Sequence, residues 1–232
     1  MTRVHKILIV LTSHDVIGAT GKPTGVWFEE LAAPYYAFVD AGATVDIVSI
    51  WGGKVPIDPA SVAAAGQNAA SVDRFLNDAP AMAQIVHSSG LTDVSATGYD
   101  AIFLPGGHGT MFDLPTSPEL AALLSGAWAR GKVVAAVCHG PAGLVNLTDT
   151  DGMPLVAGRR VAGFSNSEEA AAGLSDAVPF LLETRLRALG GLYENGPDFT
   201  PFAVRDGHLV TGQNPQSSEE VARLVLATIG TD

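Results

Sequence analysis

Four apolar runs punctuate the chain. His5–Thr12, Thr44–Ile50, Asp100–Pro105 and Lys132–Cys138 are rich in Val and Ile and do not alternate polar with apolar positions, which is the pattern of strands buried on both faces. Between them, Val26–Ala41, Ser71–His87 and Ser117–Ala129 repeat their apolar residues at helical spacing. Strands and helices in this alternating order predict a parallel sheet covered by helices and joined by right-handed crossovers, a doubly wound α/β fold. Near the C-terminus, Phe202–Val204 and Leu209–Thr211 flank Arg205-Asp206-Gly207-His208, a turn signal that predicts a hairpin at a sheet edge. Ser217–Ile229 predicts a closing helix. No internal repeat, low-complexity tract or linker interrupts the 232 residues, so a single domain spanning residues 1–232 is expected.

Composition narrows the chemistry. Hydrophobic residues make up 47% of the chain, enough for a sizeable core, and disorder is excluded as the main state. The charge of −11, from 13 Lys plus Arg against 24 Asp plus Glu, repels phosphates, so neither nucleic acid nor an anionic membrane is an expected partner. The apolar run Ile7–Leu11 is too short to span a bilayer, and Ser13, His14 and Asp15 follow it rather than a cleavage site. No membrane anchor or secretory signal is therefore expected. One cysteine, Cys138, rules out an intramolecular disulfide, an all-cysteine zinc site and an iron–sulfur cluster. That composition suits a reducing cytoplasm and leaves one thiol to explain.

In an open α/β sheet the functional crevice lies at the carboxyl ends of the strands. Three loops fall there: Ser13–Gly25, Gly106-Gly107-His108-Gly109-Thr110, and Cys138-His139-Gly140-Pro141. The first contains Gly21-Lys22, but its glycine spacing is too short for a phosphate loop and Pro23 stands where Ser or Thr would hold magnesium. The second lacks the dinucleotide spacing; adjacent glycines there either make a simple tight turn or aim N–H groups at a developing oxyanion. The third has the form of a nucleophile elbow. Ala136 and Gly140 supply the small residues two before and two after Cys138 that such a strand-to-helix turn requires. A thiol so placed is expected over a helix N-terminus that favours thiolate, with His139 adding positive charge; the alternative is a buried structural cysteine. On the predicted first helix, Trp27, Leu31, Pro34, Tyr35 and Phe38 form an apolar stripe at 100° per residue. Glu29 points away from it and is expected in solvent. Glu30 lies near its edge, either as a partly buried acid or as a boundary residue reaching water.

These segments identify a resemblance. Lys22-Pro23-Thr24-Gly25-Val26 with Glu30 and Pro34, Gly107-His108-Gly109-Thr110-Met111-Phe112-Asp113, Ala135–Pro141, Gly163-Phe164 with Glu169, and Leu209-Val210-Thr211-Gly212-Gln213-Asn214-Pro215 resemble the ThiJ/PfpI superfamily over nearly the whole chain. Within it they resemble the heat-shock-chaperone-like, glutathione-independent glyoxalase (glyoxalase III) branch. The resemblance implies a flavodoxin-like fold of the class I glutamine amidotransferase type and a nucleophile at Cys138. It further implies His139 as its partner, Glu30 as the acid on the first helix, and Glu169 as the third triad member that orients His139 and favours its charged form, with Glu168 as the competing neighbour. Gly107, His108 and His139 would line the oxyanion and substrate site. The implied activity is hydration of a small 2-oxoaldehyde, methylglyoxal or glyoxal, to D-lactate or glycolate through a Cys138 hemithioacetal. It uses no cofactor and no metal, and the implied assembly is a homodimer. Other superfamily chemistries remain open with the same residues: a cysteine amidase, peptidase or isonitrile hydratase, or a redox-responsive chaperone.

Overall fold

The computed structural model describes residues 4–95 and 97–230. Among the described residues the strands follow in chain order: β1 (Lys6–Leu11), β2 (Val16–Ile17), β3 (Lys22–Pro23), β4 (Thr44–Ser49), β5 (Ser89–Gly90), β6 (Ala101–Leu104), β7 (Val133–Val137), β8 (Arg160–Val161), β9 (Leu192–Tyr193), β10 (Ala203–Asp206) and β11 (Leu209–Gly212). The helices are α1 (Phe28–Asp40), α2 (Ala70–Leu76), α3 (Ala79–Val86), α4 (Thr110–Asp113), α5 (Pro118–Trp128), α6 (Asn166–Ala172), α7 (Leu182–Ala188) and α8 (Ser218–Ile229).

Seven strands form the central sheet in the order β10-β11-β7-β6-β1-β4-β5. Every pairing in it is parallel except β10 with β11, the hairpin at the edge. The four predicted inner strands are all present. Ile7–Leu11, Ala101–Leu104 and Val133–Val137 are buried throughout, as expected where helices cover a sheet and no side of a strand meets water. Helix α1 packs against α8 and α2, α8 against β7 and β11, α5 against β6 and β7, and α3 against β4. One contiguous apolar cluster runs from Ile7 in β1 to Ile229 in α8. Among the described residues no helix is long and apolar enough to cross a membrane.

The helix expected over Ser71–His87 is two helices. Asn77 closes α2, and Asp78 opens α3 by accepting the Ala81 N–H at 3.1 Å, with Pro80 in the new first turn. The Asp-x-Pro triplet is a helix-start signal, and it overrides the continuous apolar period. Helices α6 and α7 and the two-residue strands were not anticipated, being too short for periodicity to register.

Loops from the carboxyl ends of β1, β6 and β7 converge. A Cβ on Gly107 would sit 2.2 Å from the Gly25 carbonyl oxygen and 2.6 Å from the Trp27 nitrogen. Only a glycine at φ +98° lets the β6 loop touch the β1 loop so closely.

Candidate active site

Strand β7 ends at Val137, and the next residue turns sharply. Cys138 has φ +58°, a left-handed conformation that non-glycine residues seldom adopt. Both of its backbone groups are tied down: its N–H donates to the Gly212 carbonyl at 3.0 Å, and its carbonyl accepts the Phe164 N–H at 2.8 Å. The small residue expected two positions later is required by backbone crowding, since a Cβ on Gly140 would lie 2.2 Å from the Leu104 carbonyl oxygen. This is the strained strand-to-helix turn of a nucleophile elbow. The segment beyond it departs from expectation. Gly140–Leu144 is a five-residue 3-10 helix, so no extended α-helical dipole lies beneath the sulfur.

Glu30 lies in the first turn of α1 and is fully buried. Its Oε2 accepts the Gly106 N–H at 2.7 Å, while Oε1 is buried with no hydrogen-bond partner. Burial pushes its pKa up to about 8, against a partial lowering by Gly106 and by the adjacent Cys138 thiol. At neutral pH Glu30 is therefore an acid, and with Oε2 occupied by an incoming donor its proton belongs on Oε1. Glu29 is half-buried rather than in free solvent, and burial together with the nearby Glu219 of α8 raises its pKa. The helical phase separating the two carboxylates stands, but α8 covers the side expected to be open.

His139 joins Cys138 to Glu169. Its Nδ1 lies 3.3 Å from the Cys138 sulfur and its Nε2 lies 2.8 Å from Glu169 Oε2. The other oxygen, Glu169 Oε1, meets His108 Nε2 at 2.9 Å, and the two imidazole rings lie 4.2 Å apart. Helix α6 decides which glutamate does this. Ser165 caps it, and Glu168 completes the capping box by accepting the Ser165 N–H at 3.0 Å. One residue and about 100° further on, Glu169 faces the histidines. The oxygens of Glu168 accept from Ser165, the Phe199 N–H and Asn214 rather than from His139.

The charges differ from the expected set. His139 is buried, and desolvation together with His108 lowers its pKa to about 4 in spite of Glu169, so its ring is neutral at pH 7. Glu169 is lowered to about 2, its burial outweighed by the hydrogen bonds from His108 and His139, and it remains ionised. An ionised acceptor at Nε2 fixes the proton there and leaves the Nδ1 lone pair facing the thiol. The cysteine is likewise no preformed thiolate. Burial first, then Glu30, pushes its pKa well up, against which only the Gly107 N–H acts. The site thus holds a thiol, a carboxylic acid, a neutral base and an N–H group directed at the sulfur.

A cavity of about 190 Å³ opens onto Cys138, lined by Trp27, Gly107, His108, His139, Phe164 and Phe199, with Ala172, Pro215 and Gln216. It is smaller than the roughly 300–1,000 Å³ typical of ligand pockets. Sequence reasoning missed the aromatic walls, Trp27, Phe164 and Phe199, as site residues; they come from three distant loops and share no spacing. The one donor set of metal-ligand type among the described residues is His108, His139 and Glu169, whose ligating atoms lie within 4.8 Å of one another. Those atoms already satisfy one another as hydrogen-bond partners, leaving no orphan donor that calls for an ion.

Residues 24–228 match the DJ-1/PfpI family. The chain is 35% identical over 226 residues to the glutathione-independent glyoxalase HSP31 of Saccharomyces cerevisiae, with 94% of each chain covered. The crystal structure of glyoxalase III from Candida albicans superposes with a TM-score of 0.88 at 31% identity, covering 97% of each chain. The 24-kDa rapid encystment protein of Francisella tularensis superposes with a TM-score of 0.93 at 39% identity, covering 97% of this chain and 99% of its own.

Proposed function

The chain belongs to the DJ-1/PfpI family, and from that premise we propose that it is a glutathione-independent glyoxalase that converts methylglyoxal or glyoxal and water to D-lactate or glycolate. The observation that carries the reading is the protonated, buried Glu30 beside Cys138. Hydrolysis of an amide or ester needs only a nucleophile and an imidazole that shuttles one proton. An internal redox between adjacent carbons needs a second group that can give and take protons, and Glu30 is such a group.

The protons balance without an external oxidant or cofactor. Cys138 Sγ adds to the aldehyde carbon as the thiol proton passes to His139 Nδ1, and Glu30 protonates the new alkoxide to give a hemithioacetal. Now a carboxylate, Glu30 removes the hydrogen from the former aldehyde carbon. The electron pair moves toward the keto oxygen, which takes the proton held by His139, and an enediol results. Glu30 then delivers its proton to the second carbon and recovers the hydroxyl proton of the first. The product is a 2-hydroxyacyl thioester, with Glu30 protonated and His139 neutral as at the start. Water hydrolyses it, His139 passing the water's proton to the departing sulfur. Gly107 N–H, directed at this centre, and the His139 N–H would stabilise the oxyanions, while Glu169 holds His139 in the tautomer the sequence of steps needs. Glu169 and the imidazoles act here with no metal.

We propose that the chain works as one domain in the cytoplasm, for which its uninterrupted pattern and single cysteine speak, and as a homodimer, as the family resemblance implies; sedimentation of the purified protein tests the assembly. The activity is tested by incubating protein in chelator-treated, thiol-free buffer with methylglyoxal and assaying both lactate enantiomers. D-lactate formation that Cys138→Ala abolishes is expected. Lactate formation retained in Cys138→Ala, or none from the intact protein, would overturn the covalent reading.

A further inference from the structure

Besides Cys138, one non-glycine residue among the described residues has a positive φ: Phe199, at +54°. A bulky side chain in the left-handed region is disfavoured, and this one is also 45% exposed, so neither local backbone preference nor burial accounts for it. Hydrogen bonds to the buried Glu168 and from the buried Asn214, with an exposed Ser167–Asp198 pair beside them, hold the turn. The Phe199 N–H donates to Glu168 Oε1 at 2.8 Å. Asn214 Nδ2 donates to that same oxygen at 2.9 Å and to the Thr200 carbonyl at 2.8 Å. Ser167 Oγ donates to Asp198 Oδ1 at 2.6 Å. Glu168 is fully buried, its other oxygen occupied by the N–H and hydroxyl of Ser165. The first turn of α6 therefore fixes two things from adjacent residues: Glu169 sets the imidazoles, and Glu168 sets the turn that carries Phe199.

That turn places Phe199, partly exposed to solvent, in the lining of the cavity over Cys138, its ring 6.3 Å from the Phe164 ring, which itself lies 4.4 Å from the His139 ring. We propose that Phe199 is the specificity-determining residue of this site, closing the entrance to the thiol so that 2-oxoaldehydes with short substituents are accepted and aryl-substituted ones are rejected, and that Glu168 and Asn214 are the positioning residues that hold it. The substrate class in this statement rests on the glyoxalase reading; the closure of the entrance does not. Backbone strain held in place by buried polar groups at a cavity rim fits a built device.

The test compares wild type, Phe199→Ala and Glu168→Gln. Two ratios are measured: kcat/KM for phenylglyoxal over methylglyoxal, and the rate of Cys138 alkylation by N-phenylmaleimide over iodoacetamide at one pH. Phe199→Ala should raise both ratios by about tenfold or more, the scale on which apolar pocket contacts discriminate. Glu168→Gln, which sets an amide NH2 among donors and frees the turn, should raise them in the same direction while methylglyoxal kcat falls less than KM rises. Both ratios within twofold of wild type in Phe199→Ala would overturn the proposal. If the wild-type protein turns over neither oxoaldehyde, the glyoxalase reading fails, and the alkylation ratio still decides whether Phe199 guards the thiol.

Discussion

A carboxyl that keeps its proton to about pH 8 and a thiol that resists ionisation make the two reactive side chains of this site interdependent: negative charge on either raises the cost of charge on the other. Glu30→Gln keeps the shape and can still accept the Gly106 N–H, but it cannot exchange a proton. Its kcat with methylglyoxal should fall by about 10²- to 10⁴-fold, while alkylation of Cys138 at alkaline pH is no slower than in wild type because the nearby acidic group is gone. Glu29→Gln, one residue away on the α8 side, should leave kcat within about twofold and stability within about 0.5 kcal/mol. Steady-state kinetics and alkylation rate against pH check both. At this scale the elbow pattern marked Cys138 and His139 and the helical stripe put Glu30 at the edge of the apolar face, while Glu30 as the acid of the site and Glu169 as the partner of His139 came only with the family resemblance. Their protonation was not legible. It depends on burial by segments far away in sequence, such as Gly106, which bonds Glu30 across 76 positions, and the loop that brings His108 to Glu169 across 61.

Elements were legible where a long run had one period. The inner strands are continuous apolar runs because both of their faces are covered, and α1, α5 and α8 each present one buried face over at least three turns. Short elements set by caps were harder to see, although their chemistry is local. Ser165-x-x-Glu168 is a capping-box pattern, and reading it would have assigned Glu168 to the helix start and left Glu169 for the site. Asp78-Ala79-Pro80 would likewise have divided the 71–87 segment. Asp78 tests that reading: it caps α3 through Ala81 N–H and accepts the Tyr36 hydroxyl at 3.0 Å. Asp78→Ala removes the cap and leaves the Tyr36 hydroxyl without that partner, at a cost of about 1–2 kcal/mol. For a chain of this size that is a Tm lower by about 2–8 °C, with kcat unchanged because neither residue lines the cavity. Thermal unfolding with no loss of Tm would mean that α2 and α3 do not depend on this junction.

Across the whole molecule, the parallel sheet collects three loops at the carboxyl ends of β1, β6 and β7, and the helices that bury the strands also bury Glu30. Burying an ionisable group makes folding depend on pH. Below about pH 4.5, the ordinary value of this carboxyl, it is protonated in both folded and unfolded chains and adds no pH dependence to folding. As pH rises past that value the unfolded chain releases the proton and the folded chain does not, so folding loses about 1.4 kcal/mol per pH unit. The loss levels off once the folded-state pKa of about 8 is passed. The other carboxylates and histidines impose their own pH dependence, but they are shared by wild type and Glu30→Gln and cancel in the difference between the two. Denaturant unfolding of both proteins from pH 4 to pH 9 should therefore give a stability difference that is flat at the acid end and then shifts in favour of Glu30→Gln by several kcal/mol on the way to pH 8. A difference that stays constant across this range would mean that Glu30 ionises normally in the folded protein, and the proton-holding role at Cys138 would fall with it.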